Sequence, residues 1–266
     1  MRKAVFKTVS NQNLNLWIYD NGNAKTDKNR TAMIWIHGGG WERGNPDYFG
    51  NDYDYFTELG IVCFGVEYRL KAIDESHIPH AHIKGAIEDC IDSVVYVREK
   101  ADEFGIDPNK IIVVGESAGG HLALCLITNV INGSNTTAIP NLVVVYNPVV
   151  ETVAHWSYIG GKYEGVSAEE FFERYKILKG VSPIHNIIKN DIPLLLLTGI
   201  DDRVVYPGEV MDFYERYIAV GNSAEIEFYA NTTHAFALPA WYDKGMESRD
   251  KSLEAIQGFM KKHKYL

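Results

Sequence analysis

A serine near the middle of the chain has the setting that nucleophilic catalysis requires. Ser117 lies in the segment Gly115-Glu116-Ser117-Ala118-Gly119-Gly120, between the β-branched run Ile111–Val114 and a helical pattern. A serine hydroxyl is a weak nucleophile, so it must project from a sharp turn where a base can reach it. The flanking glycines leave room for such a turn, and we predict that Ser117 is a nucleophile. The alternative is a helix N-cap serine in a Rossmann-like turn, but the Gly-x-Gly-x-x-Gly pattern is missing.

Two later loops supply candidates for the acid and the base. In a hydrolase of this arrangement the acid follows a late strand, and the histidine lies in a later loop. Asp202 follows the apolar run Leu194–Thr198, and His234 follows the last predicted strand. The carboxylate would orient the imidazole, which would accept the Ser117 proton, so we predict a Ser117–Asp202–His234 triad. Asp201 is the alternative acid, and Asp202 is favoured because the loop needs a few residues to turn back toward His234.

A glycine run predicts an oxyanion-binding loop. The segment His37-Gly38-Gly39-Gly40-Trp41 follows the buried run Ala32–Ile36. Successive glycines allow backbone N–H groups to face a substrate oxygen at close range, which an ordinary turn rarely requires. A helix beginning near Ala118 would aim its free amides and positive dipole end at the same oxygen. We expect His37 to anchor the loop rather than act as a base, and Trp41 either to stack on a sugar ring or to anchor the loop.

The order of these segments along the chain is similar to that of a known superfamily. The segments that carry the resemblance are His37-Gly38-Gly39-Gly40-Trp41, Glu67-Tyr68-Arg69-Leu70, the stretch from Gly115 to Ala123, Asp202 and His234. They resemble the α/β-hydrolase superfamily, and more narrowly the bacterial esterase/lipase group related to hormone-sensitive lipase and to small carbohydrate acetyl and feruloyl esterases. The resemblance covers nearly the whole chain from about residue 14. It implies a triad and an oxyanion hole, with Ser117, Asp202 and His234 forming the triad and the amides of Gly39, Gly40 and Ala118 forming the hole.

Short β-rich runs alternate with longer helical patterns, which predicts one α/β domain over residues 1–266. Its central sheet is expected to be mostly parallel, with helices on both faces. Only 36 residues precede His37, too few for the helical N-terminal cap of hormone-sensitive-lipase relatives. An insertion at residues 151–180, between the predicted strands 142–146 and 194–198, is therefore the main candidate lid. The predicted strands are 14–19, 32–36, 61–66, 111–114, 142–146, 194–198 and 225–229, and the predicted helices are 82–103, 121–130, 207–220 and 247–262.

Charge and composition exclude several classes of function. The 266 residues include 26 Lys and Arg against 35 Asp and Glu, for a net charge of −9. Such a chain has no overall attraction to phosphate backbones or anionic bilayers, so neither nucleic acid nor a membrane is an expected partner. No apolar run reaches 18 residues and the N-terminus has no signal-peptide pattern, so we expect a cytoplasmic protein. A secreted form whose leader has been removed would have the same sequence.

Cysteine and histidine spacing does not indicate a metal site. The three cysteines, each in an apolar run, are predicted to be buried free thiols: Cys63, Cys90 and Cys125. Three histidines lie close together without an accompanying carboxylate or thiol pattern, which favours a solvated loop: His77, His80 and His82.

The resemblance implies ester hydrolysis through an acyl-enzyme, with no metal or organic cofactor. Because no large apolar cap is indicated, we expect a short acyl chain, with acetate on a carbohydrate or another small alcohol as the favoured ester. The candidate substrate contacts are Trp41, Glu116, Trp156 and Phe236. The alternatives are a feruloyl-type esterase, an arylformamidase, a peptidase and, in a different class, a non-catalytic binding protein of the same fold. The aromatic residues of the insertion either line the substrate pocket or attach the insertion to the sheet.

Overall fold

A single sheet of eight strands runs through the part of the chain that the structure describes. The structure is a computed structural model that describes residues 1–22, 29–71, 81–130, 136–155, 165–238 and 246–266. The strands are β1 (Arg2–Val9), β2 (Gln12–Tyr19), β3 (Arg30–Ile36), β4 (Val62–Val66), β5 (Ile106–Glu116), β6 (Leu142–Tyr146), β7 (Leu194–Gly199) and β8 (Ala224–Tyr229). They are ordered β1-β2-β4-β3-β5-β6-β7-β8. Only the β1–β2 and β2–β4 pairs are antiparallel, which confirms the mostly parallel sheet.

Helices cover both faces of this sheet. They are α1 (Asn51–Glu58), α2 (Ala81–Glu99), α3 (Ala101–Phe104), α4 (Ala118–Cys125), α5 (Ala168–Val181), α6 (Pro207–Ala219) and α7 (Met246–Lys262). Successive residues of a strand point to opposite faces, so β3 contributes Ile34 to the core beneath α2, α4 and α6. It contributes Trp35 to the second core, beneath α1 and α7. Burial on both faces explains why the central strands read as continuous apolar runs.

Several elements differ from those that periodicity predicts. The predicted helix 82–103 is divided into α2 and α3, and α3 is closed by Gly105 in the left-handed conformation (φ 63°). Every residue of α4 is buried, so no polar face marks where the helix starts, and it spans Ala118–Cys125 rather than 121–130. Strand β1 and helix α1 were missed; β1 is an edge strand with no fully buried residue and therefore a weak apolar pattern. The three cysteines are buried and free, as expected.

The described part of the insertion packs onto the sheet through α5. The Thr152 hydroxyl donates to the carbonyl oxygen of Leu178 (2.5 Å), and the Thr152 amide donates to Ser182 Oγ (3.0 Å). Phe171 packs against the core, whereas Phe172 is 59% exposed. These contacts favour attachment as the role of Phe171, and the action of the insertion as a lid stays a prediction.

No helix in the described ranges has both the length and the apolar composition needed to cross a bilayer.

A buried carboxylate connects three parts of the fold at one end of β4. Asp89 on α2 is fully buried; its Oδ2 accepts from the backbone N–H (2.9 Å) and Nε (2.8 Å) of Arg69, in the segment after β4. Its Oδ1 lies 2.7 Å from Nζ of Lys7 on β1. Lys7 also reaches the half-exposed Asp92 at 2.6 Å. Asp89 therefore joins α2 to β1 and to the segment after β4.

We expect Asp89→Ala to lower the free energy of unfolding by about 3 kcal/mol, because two cations lose their buried partner. The control is Asp92→Ala, which removes a carboxylate that contacts Lys7 alone at the surface and should cost less than about 1 kcal/mol. Urea denaturation of the two variants measures both values. Equal losses would contradict the central role of Asp89.

Candidate active site

Ser117 sits on a strained turn between β5 and α4. Its backbone has φ 54° and ψ −115°, a conformation that costs energy in a residue with a side chain. A Cβ atom at Gly115 would overlap the carbonyl oxygen of Gly119, and one at Gly119 would overlap the carbonyl oxygen of Ile36. Both positions therefore need glycine, because the atoms that a side chain would overlap belong to the backbone and cannot move aside. The Ser117 amide donates to the carbonyl of Tyr146 (2.9 Å), which leaves the side chain to project from the turn.

His234 lies between Ser117 and Asp202. Its Nε2 is 2.8 Å from Ser117 Oγ, and its Nδ1 is 2.7 Å from Asp202 Oδ2. The other Asp202 oxygen accepts from the amides of Val204 (2.8 Å) and Val205 (2.9 Å), so the buried carboxylate is held on both sides. The three residues follow β5, β7 and β8, whose carboxyl ends meet at one edge of the parallel sheet. The structure therefore brings the three predicted triad residues together.

The neighbouring carboxylate, Asp201, has a different position. It is exposed, and its amide donates to the carbonyl of Thr232 (2.9 Å). The bond to His234 comes from Asp202, as the loop-length argument favours.

The surroundings of His234 make its imidazole more basic. Burial by itself would lower the pKa of His234, but the hydrogen bond that the ring donates to Asp202 and the negative charges of Glu116 and Asp202 outweigh it and raise the pKa. The Nδ1–H donates to Asp202, since a carboxylate can only accept, and the neutral ring then presents the lone pair of Nε2 to Ser117. This arrangement suits a general base.

Glu116 is a second carboxyl group beside the histidine. It is 1% exposed, and its Oε1 lies 3.7 Å from His234 Nε2 without a hydrogen-bond partner among the described residues. Its Oε2 lies against Gly38, where a Cβ atom would overlap it. Burial raises the pKa of Glu116 to about 7, with His234 lowering it and Asp202 raising it. This carboxyl group therefore gains its proton near neutral pH.

The predicted oxyanion amides surround Ser117. Gly39 (φ 109°) and Gly40 (φ 65°) have the left-handed backbone that favours glycine, and both line the same cavity as Ser117. Ala118 is the first residue of α4, where an amide has no partner within the helix. Within the described residues, the amides of these three residues donate to no other group. They are therefore available to a ligand.

The loop that carries these glycines is anchored by aromatic residues. The hydroxyl of Tyr68 donates to the carbonyl of His37 (2.9 Å), and the two rings stack with centroids 4.3 Å apart. Burial lowers the pKa of His37 to about 4, so the ring is neutral and its Nδ1–H donates to the carbonyl of Gly38 (2.8 Å). These contacts support the predicted anchoring role of His37.

Trp41 also supports the loop from inside. It is 1% exposed and does not line the cavity; its indole N–H donates to His121 Nδ1 (3.3 Å), and His121 Nε2–H donates to the carbonyl of Val181 (2.8 Å). Burial lowers the pKa of His121 to about 4, which keeps that ring neutral and able to accept from Trp41. Of the two roles considered for Trp41, the placement favours anchoring and corrects the expectation of substrate contact, since the ring has no open face.

Two further candidate substrate contacts have other positions. Phe236 is 3% exposed and packs against Tyr146 and Tyr229 rather than lining the cavity, because its ring fills the core beneath the His234 loop. Trp156 lies outside the described residues. Glu116 is the candidate that the structure places in the cavity wall.

A cavity of about 460 Å³ opens over Ser117 and His234. The segment after β3 contributes Arg43 and Tyr48 to its wall, and the loops after β7 and β8 contribute Val204, Ala235 and Leu238. Sequence reasoning missed these five residues. The one sequence feature that could have suggested a place for Arg43 in the cavity wall is its position four residues after Gly39. None of the wall residues comes from the described part of the insertion.

In the described ranges, no three His, Cys, Asp or Glu side chains are grouped so that they could hold a metal ion. His77 and His80 lie outside the described residues. His82 is buried in the first turn of α2 rather than in a solvated loop.

Comparison with known proteins identifies similar enzymes. The BD-FAE family model matches residues 16–217. The chain is 26% identical over 240 residues to an acetylxylan esterase of Xylanibacter ruminicola, a match that covers 86% of this chain and 45% of the relative. It is also 26% identical over 219 residues to an ethyl acetate hydrolase of Pseudomonas putida, which covers 77% of this chain and 65% of the relative. The chain therefore spans about half to two-thirds of the length of these curated relatives.

A solved structure matches the whole chain. The butyrate-bound form of the thermophilic esterase Est2 from Thermogutta terrifontis superposes with a TM-score of 0.83 at 27% identity, covering 100% of this chain and 95% of that one. This similarity confirms the α/β-hydrolase fold.

We expect Glu116→Gln to shift the acid limb of the pH profile of kcat/KM toward lower pH. The negative charge of Glu116 raises the pKa of His234, so its removal lowers that pKa and leaves the base unprotonated in more acidic solution. In the unmodified protein the limb should lie above the ordinary histidine value of 6.5, because the pKa is raised.

Asp201→Asn is the matched control, since it removes an exposed carboxylate next to Asp202. Its profile should coincide with that of the unmodified protein. A Glu116→Gln profile that also coincided would contradict electrostatic coupling between Glu116 and His234.

Proposed function

Because the chain belongs to the BD-FAE family, we propose that it is a serine carboxylesterase with a Ser117–His234–Asp202 triad. The observation that carries the proposal is the continuous pair of hydrogen bonds from Ser117 through His234 to Asp202. The esterases among its relatives and structural neighbours support the same reaction class. A non-catalytic binding protein of this fold would have no need of the strained serine turn.

Each member of the triad has one role in the proposed reaction. Ser117 Oγ attacks the ester carbonyl carbon while His234 Nε2 accepts the hydroxyl proton. Asp202 stabilises the imidazolium that forms. His234 then returns the proton to the departing alcohol, which leaves an acyl-enzyme on Ser117. A water molecule, deprotonated by the same histidine, releases the acid and restores the serine.

The tetrahedral intermediate carries a negative oxygen that must be stabilised. The amides of Gly39, Gly40 and Ala118 are free to donate to it, and the positive end of the α4 dipole lies at the same place. Because the loop is held by Tyr68 and Trp41, these donors need little rearrangement when charge develops.

The names of two relatives and the ligand of a structural neighbour support a short acyl group in the proposed substrate. The butyrate bound to Est2 shows that this structural neighbour accepts a four-carbon acid, and two relatives are an acetylxylan esterase and an ethyl acetate hydrolase. We propose that this chain acts on short-chain acyl esters, with an acetyl group on a carbohydrate as the favoured substrate.

Substitutions separate the proposed catalytic carboxylate from its neighbour. Ser117→Ala and Asp202→Asn should each lower kcat by about 10⁴-fold, because one removes the nucleophile and the other removes the group that orients the histidine. Asp201→Asn should stay within about two-fold of the unmodified enzyme. Initial rates on p-nitrophenyl acetate measure all three, and equal losses for the two aspartates would contradict the assignment of the acid.

Chain length tests the proposed substrate. On p-nitrophenyl esters, we expect kcat/KM to fall by about ten-fold or more between butyrate and octanoate, because a site for short acyl groups gains no favourable contact from a longer chain. Acetylated xylan should release acetate faster than methyl ferulate or N-formylkynurenine is cleaved. A preference for octanoate would overturn the short-acyl proposal. Folded protein that resists labelling by a fluorophosphonate would overturn the serine-esterase proposal itself.

A further inference from the structure

Arg43 is held against the proposed oxyanion loop by the backbone. Its amide donates to the carbonyl of Gly39 (3.2 Å), which closes a turn. A Cβ atom at Gly39 would overlap the Arg43 carbonyl oxygen and would lie 3.2 Å from Arg43 Cγ. The stem of the arginine therefore packs on Gly39, and its side chain lines the cavity that contains Ser117.

The guanidinium of Arg43 has no acidic partner within the described residues. The adjacent acid, Glu42, bonds instead to Lys71 (2.6 Å). Glu116, the carboxyl group in the cavity wall, is enclosed by Gly38 and His234. In a chain with 35 acidic and 26 basic residues, an exposed arginine that lines a cavity and has no acidic partner among the described residues is available to a ligand.

Tyr48 adds a second polar group to the same wall. It is half-buried, and its ring makes an edge contact with His37 at 6.0 Å between centroids. Its hydroxyl has no hydrogen-bond partner among the described residues. Guanidinium and phenol groups both donate, so they suit a ligand with acceptor oxygens, and the positive charge favours an anionic one.

Apart from Glu116 and the proposed catalytic groups, the rest of the wall is apolar. Val204, Ala235 and Leu238 come from the loops after β7 and β8. A ligand for this cavity therefore combines an ester next to Ser117, a small apolar part and one negatively charged group.

We propose that the site selects esters that carry a carboxylate, and that Arg43 binds this carboxylate. The inference rests on the proposed esterase function and deepens it by naming the substrate class. Arginine pairs with carboxylates through two parallel N–H···O bonds, and Tyr48 supplies a third donor. The carboxylate belongs either to the alcohol part, as in an acetylated sugar acid, or to the acyl part, as in a half-ester of a dicarboxylic acid.

Two substrate pairs test the proposal, each comparing a carboxylate with its neutral amide. In the first pair, 4-acetoxybenzoate and 4-acetoxybenzamide, the charge is on the alcohol part. In the second, monomethyl succinate and methyl succinamate, the charge is on the acyl part. The ratio of kcat/KM values within a pair removes differences in overall activity. The pair with the higher ratio in the unmodified enzyme shows which part carries the charge.

We expect Arg43→Met, which keeps most of the stem and removes the charge, to lower this ratio about ten-fold in one pair, mainly through KM. Added salt should lower the ratio for the unmodified enzyme as well. The control is Lys261→Met, in the last turn of α7, which removes the same charge from an exposed position outside the cavity wall. Its ratios should equal those of the unmodified enzyme.

Binding measured without turnover separates this proposal from the esterase proposal. In the Ser117→Ala background, calorimetry should find that Arg43→Met weakens the binding of 4-acetoxybenzoate or monomethyl succinate about ten-fold. The binding of the corresponding amide should show no such loss. If Arg43→Met changes neither the kinetic ratios nor the binding of carboxylates, the proposal is overturned, while hydrolysis of p-nitrophenyl acetate still supports the esterase. If carboxylate binding depends on Arg43 but no ester is hydrolysed, the selectivity stands and the esterase proposal fails.

Discussion

The candidate site depends on a close approach of backbone to backbone at the start of α4. Gly119 lies against the carbonyl of Ile36 at the end of β3, and Gly115 lies against the carbonyl of Gly119. No side chain fits between these segments. The contact brings the glycine loop after β3 next to the serine turn after β5, so the proposed nucleophile and the proposed oxyanion amides lie around one cavity. Ser117, between these two glycines, has a positive φ of 54°.

Around this contact, buried polar groups hold the glycine loop in place. The hydroxyl of Tyr68 donates a hydrogen bond to the carbonyl of His37, the first residue of the loop. The indole N–H of Trp41 donates to His121 on α4, and His121 donates in turn to the carbonyl of Val181 at the end of α5. A buried donor or acceptor that lost its partner would cost about 1–3 kcal/mol. Because each of these groups is satisfied by another element, the loop, α4 and α5 are coupled in position. Such preorganisation reduces the rearrangement required when a charged intermediate forms.

Low solvent exposure also controls the charges at the site. Asp202 and Glu116 are both nearly inaccessible, yet their surroundings differ. Asp202 accepts two backbone N–H bonds and one from His234. Glu116 Oε1 has no hydrogen-bond donor among the described residues, and burial raises the pKa of this carboxyl group to about 7. Two carboxyl groups near one imidazole thus differ in their hydrogen-bond donors: Asp202 accepts three, and Oε1 of Glu116 accepts none from the described residues.

The sequence by itself determined the features that depend on neighbours along the chain. The serine turn, the glycine loop and the central strands were predicted because their residue types are constrained within a few positions, by close backbone approach or by burial on both faces of a sheet. The order of the strands and the loops after them also placed Ser117, Asp202 and His234 at one edge. Elements without such local constraints were missed: β1 has one neighbouring strand and no fully buried residue, and α1 is a short, acidic helix.

Tertiary structure alone decided which side chains meet. It enclosed Trp41 against His121 and placed Arg43 and Tyr48 in the cavity wall. These outcomes depend on the directions of side chains from segments far apart in the chain. Residue type does not set such directions: an aromatic ring next to a glycine loop suits either a ligand or the core, and only the packing of α4 and α5 determines which surface it meets.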